Sequence, residues 1–409
     1  MTKTKWEPLL QDSPQQLETI IRVLDKDELN KSASLLGDGN TGAALLQYYY
    51  GRHVGQEQYI EQANAIILGN FELTIPNTPG AYSLCSGVAG FRWSVNHLIN
   101  QGFIEGDADE LFEQDDALLY NVMKHDISQG RYDYLHNAIG IGLYFLQRRS
   151  ASSIAYLASL IDGLAKSAIT DQHGLKWLSM FNLQQGEGRK AVYNFSVSHG
   201  MTSIIGFLAK AYQTGIAQDR AAELLSAAVS YMLAHKRKST DASGSYFPSV
   251  VSAADDRPEY GGRLAWCYGD LGLGYILWQV AKIMENNEWE QVAMDVLLQT
   301  TSRKDPNQAG VIDAGFCHGS SGIAHVYNRL YQHTGNSLFK DAALHWLDDT
   351  IRKAVFADGP AGYKAWHPPA YGGWKAETGI LQGISGIGLV LLAAASDMEP
   401  RWDECLLLS

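Results

Sequence analysis

The chain has 409 residues, of which 46% are hydrophobic and 19% are charged, a composition that is typical of globular proteins and excludes disordered and coiled-coil chains. Its 32 basic and 44 acidic residues give a net charge of −12 without a basic block, which argues against nucleic-acid binding and limits membrane contact to a peripheral one. No signal-like or membrane-spanning segment is evident, so we expect a cytoplasmic protein. The four cysteines are too few and too widely spaced to predict a disulfide framework.

In chain order, the first predicted element is a helix with Pro14 at its first helical position, after a capping box at Ser13. A short glycine pattern then recurs seven times: Gly, two residues, Gly, and an apolar run with helical spacing. Asn137 and Ser203 replace glycine in two of these turns. The second position of the pattern is occupied in turn by Gly42, Gly90, Gly140, Ser203, Gly272, Gly322 and Gly386.

These positions lie 48 to 69 residues apart, which leaves room for two helices of about 14 residues and their connections. Amphipathic segments between the turns, such as residues 218–236 and 337–354, are typical of outer helices. The chain therefore predicts seven helical hairpins, arranged either as an open solenoid or as a closed ring. Glycine turns at the same end of every inner helix favour closure, so the predicted fold is all-α, a single α/α toroid domain over residues 1–409.

Three longer connections, residues 170–195, 237–264 and 356–376, are rich in aromatic residues and glycine. We expect them to cover the end of the toroid at which the glycine turns lie and to form a rim there.

If the turns superpose, the residues just before the first glycine of each turn face the same opening of the toroid, which we call the mouth. Cys267 and Cys317 occupy matched positions there, and His318 follows Cys317. Two thiolates and an imidazole suit zinc with one open coordination position. The alternative is that both cysteines are small buried hydrophobic residues, and spacing alone leaves this open.

Other residues of these turns carry weaker signals. Cys85 is expected to be a packed thiol and Cys405 to lie at a frayed end of the sequence. His136 and His199 face the mouth, although a lone histidine there is more often a hydrogen-bonded core residue.

Three of the motifs, WCYGDLG (residues 266–272), CHGSSG (317–322) and SHGMTS (198–203), resemble the signatures of the LanC-type lanthionine synthetase cyclases. The resemblance covers the chain and is greatest to stand-alone lantibiotic cyclases. It implies an α/α toroid with one Zn²⁺ per chain, held by Cys267, Cys317 and His318. It further implies functional roles for His199, for Arg263 in GGRLAWCYG and for Asp133 in RYDYLHNAIGIG.

The implied reaction is a Michael addition of a peptide cysteine thiol to dehydroalanine or dehydrobutyrine in a dehydrated precursor peptide, with a dehydratase and a transporter as candidate partners. We expect His199 to transfer the proton and Asp133 to orient it. Arg263, with Tyr268 as a lesser donor, is expected to stabilise the enolate oxygen.

Two other functions remain open at this point. A LanC-like protein could bind zinc and glutathione or a peptide without cyclising it. An α/α-barrel carbohydrate-active enzyme would use aromatic platforms and paired carboxylates, and no such acidic pair is evident in the sequence.

Overall fold

The computed structural model describes residues 6–25, 32–73, 80–181, 190–238 and 244–409. The chain divides into two compact units, each built from separate stretches. The first unit contains Met1–Asn77, Arg263–Trp266 and Thr301–Ser409, and the second contains Thr78–Gly262 and Cys267–Thr300. The single domain over residues 1–409 stays a prediction.

Helices make up most of both units. In chain order the described helices are α1 (Gln15–Leu24), α2 (Thr41–Val54), α3 (Glu57–Phe71), α4 (Val88–Asn100), α5 (Ala108–Ser128), α6 (Ala138–Arg148), α7 (Ala151–Ser167), α8 (Met201–Gln213), α9 (Gln218–Ala234), α10 (Asp270–Ile283), α11 (Asn287–Thr300), α12 (Pro306–Ala309), α13 (Ser320–Thr334), α14 (Ser337–Arg352) and α15 (Ile384–Ala395). Three short 3₁₀ helices are also present: Pro360–Gly362 and Pro369–Tyr371 lie between α14 and α15, and Arg401–Leu406 lies after α15.

Each unit has a row of buried inner helices flanked by amphipathic outer ones. In the first unit, α13, α15 and α2 pack side by side, with α14 against α13, α3 against α2 and α1 against α15. In the second unit, α4, α6, α8 and α10 form the row, and α5, α7, α9 and α11 cover it. The structure thus contains, within its described ranges, the seven helices that the glycine pattern predicts, and α9 and α14 confirm the two predicted outer helices.

The longer connections carry three small antiparallel sheets within their described residues. Strands β1 (Ile169–Asp171) and β2 (Gly174–Lys176) form a hairpin, β4 (Val250–Ser252) pairs with both β3 (Val192–Asn194) and β5 (Pro258–Glu259), and β6 (Ala365–Trp366) pairs with β7 (Trp374–Lys375). No helix within the described ranges is long and apolar enough to cross a membrane.

Two local predictions are wrong. The first helix begins at Gln15 with Pro14 as its N-cap, and no side chain caps it, so neither the predicted start at Pro14 nor the capping box at Ser13 forms. Cys405 is not at a frayed end, because it is fully buried and its Sγ contacts the Trp402 carbonyl oxygen at 3.1 Å.

The glycine turns are defined by very close backbone contacts. A Cβ atom on Gly322 would lie 1.8 Å from the carbonyl oxygen of Phe316, so no side chain fits there. Gly269, which precedes α10, has φ +96°, a conformation that favours glycine. The inner helices begin directly after the first position of the pattern, except α2, which begins one residue later.

Backbone hydrogen bonds join neighbouring turns within each unit. In the second unit, the amide of Cys85 donates to the Leu135 carbonyl at 2.9 Å. In the first unit, the Cys317 amide donates to Leu381 at 2.7 Å and the Leu381 amide donates to Leu36 at 2.8 Å. The residues just before the glycines therefore occupy equivalent positions, as the sequence pattern predicts.

A substitution pair tests the contact at Gly322. Gly322→Ala should lower the free energy of unfolding by about 2–3 kcal/mol or more, because the new methyl group overlaps a backbone carbonyl that cannot move aside. Gly69→Ala, in α3 with open space around it, should be neutral or stabilise by up to about 1 kcal/mol. Urea unfolding followed by circular dichroism measures both, and equal effects would contradict this view of the turn.

Candidate functional site

The turn before α13, in the first unit, carries Cys317 and His318. The amide of Cys317 is held by the Leu381 carbonyl, and its side chain is half-buried. The His318 side chain is 17% exposed, with Nε2 at 4.0 Å from Oδ2 of Asp313. Asp313 is itself fixed, since it accepts hydrogen bonds from the amides of Gly315 and Trp366. Both candidate ligands therefore lie on a rigid turn.

Cys267 occupies the corresponding place before α10, in the second unit. It is 4% exposed, and its carbonyl accepts a hydrogen bond of 2.9 Å from the amide of Val197. The next residue, Tyr268, accepts a hydrogen bond from the Asn194 side-chain amide at 3.0 Å. Burial raises the pKa of Tyr268, so its hydroxyl stays protonated.

Trp266 and Arg263 belong to the first unit, although they are close to Cys267 in the chain. Trp266 is fully buried and packs edge-to-face on Phe316, with ring centroids 6.0 Å apart. Cys267 and Cys317 each directly follow one of these two aromatic residues. Arg263 is exposed, unlike the other residues of this stretch up to Cys267.

His199 and Asp133 form a hydrogen-bonded pair in the second unit. Nδ1 of His199 lies 2.7 Å from Oδ2 of Asp133, which is 4% exposed. Oδ1 of Asp133 accepts the amides of Leu135 and His136 at 3.0 and 2.9 Å, so its own turn orients the carboxylate. The contact at Nδ1 leaves Nε2 of His199 as the nitrogen that can meet a substrate.

Aromatic stacking fixes the plane of the His199 imidazole. The ring of Phe181 lies parallel to it at a centroid distance of 3.7 Å, and the His136 ring is stacked at 5.7 Å with an angle of 14° between the two ring planes. A single ring orientation is thereby imposed on His199, which proton transfer to a defined atom requires. Phe181 lies outside the glycine turns, so no sequence pattern pointed to it.

His136 joins this pair as a third polar group. One carboxylate oxygen of Asp133 and one ring nitrogen each of His136 and His199 lie within 4.8 Å of one another. Burial lowers the pKa of His136, the charge of Asp133 opposes the shift, and His199 adds to it. His136 was expected at the mouth without a functional role, and its position directly before the first glycine position of the pattern was the one signal for it.

The residues expected to hold a metal suit zinc by their chemistry. Two thiols and an imidazole are the donors that zinc prefers, and Cys267 and Cys317 each lie three residues before a helix start. The positive end of a helix dipole favours the thiolate form of a cysteine that precedes it. Cys85, in the same place before α4, is buried at 7% exposure, as expected for a packed thiol.

The lowered pKa of His136 can be measured by NMR titration. We expect a value below the ordinary 6.5, and a further decrease in Asp133→Asn, because that change removes the charge that favours the imidazolium. The unfolded chain then binds this proton more readily than the folded one, so the contribution of His136 to stability should decrease as the pH falls below about 6.5. A pKa of 6.5 or higher in the folded protein would contradict the assignment.

Comparisons with known proteins agree with this architecture. A family model described as lanthionine synthetase C-like protein matches residues 33–407, whereas no curated protein matches the chain. Among solved structures, the nisin cyclase is similar with 18% identity and a TM-score of 0.75, over 96% of this chain and 97% of that one. A sugar epimerase from a ruminal bacterium aligns over 95% of this chain and 97% of that chain, with 11% identity and a TM-score of 0.46.

The likeness to the nisin cyclase shows the fold, an α/α toroid, and confirms the predicted fold class. The chain belongs to the lanthionine synthetase C-like family.

Proposed function

We propose that this protein is a zinc-dependent peptide cyclase that forms lanthionine and methyllanthionine rings. Cysteine thiols of a dehydrated precursor peptide would add to its dehydroalanine and dehydrobutyrine residues. The observation that carries the proposal is the oriented pair of His199 and Asp133 in a chain of this family, because it supplies the acid–base group that the addition needs. The fold shared with the nisin cyclase supports it.

For the metal, we propose one Zn²⁺ per chain with Cys267, Cys317 and His318 as ligands. The residue types, the matching places of the two cysteines before helix starts, and the contact between Trp266 and Phe316 support this assignment. Three protein ligands leave one coordination position for a substrate group. When bound, zinc would lower the pKa of the substrate thiol, so that a thiolate is available at neutral pH.

The remaining chemistry falls to side chains of this protein. As the sulfur–carbon bond forms, negative charge develops on the carbonyl oxygen of the dehydro residue, and the Arg263 guanidinium would bind it. The Tyr268 hydroxyl, which accepts from Asn194, keeps its own proton to donate to the same oxygen. Nε2 of His199 would then protonate the α-carbon, while Asp133 stabilises the imidazolium through Nδ1. The proton lost by the thiol balances the one gained by carbon.

The peptide itself would be bound outside the reacting groups. The loop of residues 356–376 exposes Tyr371 and Trp374, with relative exposures of 58% and 40%, and aromatic side chains of this kind provide contact area for a flexible peptide. A dehydratase and a transporter are the partners that this function would involve, and the cytoplasm is the compartment in which the precursor would be modified.

The other candidate functions find less support. Asn137 and Ser203, which depart from the glycine pattern, are both accommodated: Asn137 donates to Asp126, and Ser203 donates to the Gly200 carbonyl. The pair of His199 and Asp133 forms despite these changes, so they give no reason to prefer a protein that only binds. A glycosidase needs two carboxylates, whereas the group around His199 has one.

Elemental analysis tests the zinc assignment. Purified protein should contain about one zinc per chain, and Cys317→Ala should lose it while keeping its helical circular dichroism, because a chain of this size has ample apolar core without a metal. Cys85→Ala is the matched control, since it removes a buried thiol from an equivalent turn and should retain zinc. Full zinc content in Cys317→Ala would refute the ligand set.

Cyclisation kinetics test the role of His199. His199→Asn should keep zinc and peptide binding but close rings roughly 10² to 10⁴ times more slowly, which is the usual contribution of general acid–base catalysis. Thiol alkylation followed by mass spectrometry counts the cysteines that remain uncyclised over time. His125→Asn, at an exposed position in α5, should cyclise at the normal rate. An unchanged rate in zinc-loaded His199→Asn would remove His199 from the mechanism.

A further inference from the structure

Residues 400–409, which we call the 400–409 segment, belong to the first unit, and most of them are buried. Trp402 is 1% exposed, Asp403 and Cys405 are fully buried, and Leu406, Leu407 and Leu408 are each at most 1% exposed. If the segment lay on the protein surface, these leucines would be exposed to water. The segment is therefore part of the core around α13.

A buried ionic cluster anchors this segment to α13. Arg329 donates from Nε and Nη2 to the two oxygens of Asp403, at 2.8 and 2.7 Å, and from Nη2 to the Pro400 carbonyl at 3.1 Å. Nε2 of His325 lies 2.6 Å from Oδ2 of Asp403. Burial alone would raise the pKa of Asp403, but the charge of Arg329 and the contact with His325 hold it far below its ordinary value. Asp403 is thus ionised, and its two oxygens are held in fixed directions.

From this anchor the segment reaches the residues that precede both metal-site cysteines. The indole Nε1 of Trp266 donates to the Leu406 carbonyl at 3.1 Å. The ring of Trp402 packs edge-to-face on Phe316 at 5.9 Å, and Phe316 packs on Trp266 at 6.0 Å. Trp266 and Phe316 are both fully buried, and each is one peptide bond from a cysteine.

We infer that the 400–409 segment is a positioning element for the metal site, acting through Trp402 on Phe316 and through Leu406 on Trp266. A metal ligand must be placed to within a few tenths of an ångström, and neighbouring groups that orient ligands commonly contribute 10 to 100-fold in metal affinity. The positions of Trp266 and Phe316 set the backbone from which Cys267 and Cys317 extend. This inference rests on the zinc function proposed above, so its test also includes a measurement on metal-free protein.

The first measurement is zinc affinity, by competition with a chromogenic chelator, in Trp402→Phe and Trp266→Phe. Trp346→Phe is the matched control, because Trp346 is equally buried in the first unit but lies on α14 beside His345. We expect zinc to bind about 10 to 100 times more weakly in the first two variants. In the control, the affinity should stay within about twofold of that of the unchanged protein.

The second measurement is the rate at which iodoacetamide modifies each cysteine of the metal-free protein, followed by mass spectrometry. Cys405 reports release of the segment, Cys317 reports loosening of its turn, and Cys85, buried in the second unit, reports general unfolding. In Trp402→Phe, modification of Cys405 and Cys317 should be at least about 10 times faster, with Cys85 unchanged.

The outcomes separate the two proposals. If Trp402→Phe and Trp346→Phe bind zinc equally well and leave Cys317 equally reactive, the segment does not position the site. A parallel increase at Cys85 would also overturn the inference, because it would mean general destabilisation. If the unchanged protein binds no zinc, the proposed function fails, and the modification rates of Cys317 still decide whether the segment positions this turn.

Discussion

The close approach of each glycine turn to the first turn of its own inner helix is the constraint on which the rest of the structure depends. In three turns, at Gly140, Gly322 and Gly386, a carbonyl oxygen six residues earlier lies 1.8 to 2.3 Å from the place that a Cβ atom would occupy. This contact folds the chain back immediately before the helix. The two residues ahead of the first glycine position are therefore held in the same way in these three repeats, whatever their side chains.

A scaffold of this kind separates the demands of folding from those of chemistry. The glycines are fixed by backbone contact, whereas the positions before them tolerate Asp38, Ser86 and Gln382 in some repeats and carry His199, Tyr268 and His318 in others. The candidate functional side chains are thus carried by rigid turns, and precise placement of a reacting group requires such support. The hydrogen bonds between neighbouring turns add a second restraint on the same residues.

The same separation explains which features the sequence predicts. Repeated glycines and 3.6-residue periodicity are local signals, and they predicted the inner helices and the outer helices α9 and α14 correctly. The pair of Asp133 and His199 joins residues 66 apart, and only the family resemblance pointed to it. Phe181 and the buried 400–409 segment carry no local signal at all, because their positions follow from tertiary packing. The error at Cys405 has this cause: proximity to the end of a sequence says little about burial.

The ionic cluster of the 400–409 segment raises the question of why charges lie in a core that leucines could fill. A buried pair such as Arg329 and Asp403 is weak evidence for stability, since its desolvation offsets much of its attraction, and apolar side chains of similar volume are often as stable. Apolar contacts, however, have no direction. The planar guanidinium fixes both oxygens of Asp403, and with them the rotation of the segment that places Trp402 on Phe316 and the Leu406 carbonyl at the Trp266 indole. Direction is what a residue one peptide bond from a proposed metal ligand needs, and the cluster supplies it from buried groups that solvent cannot loosen.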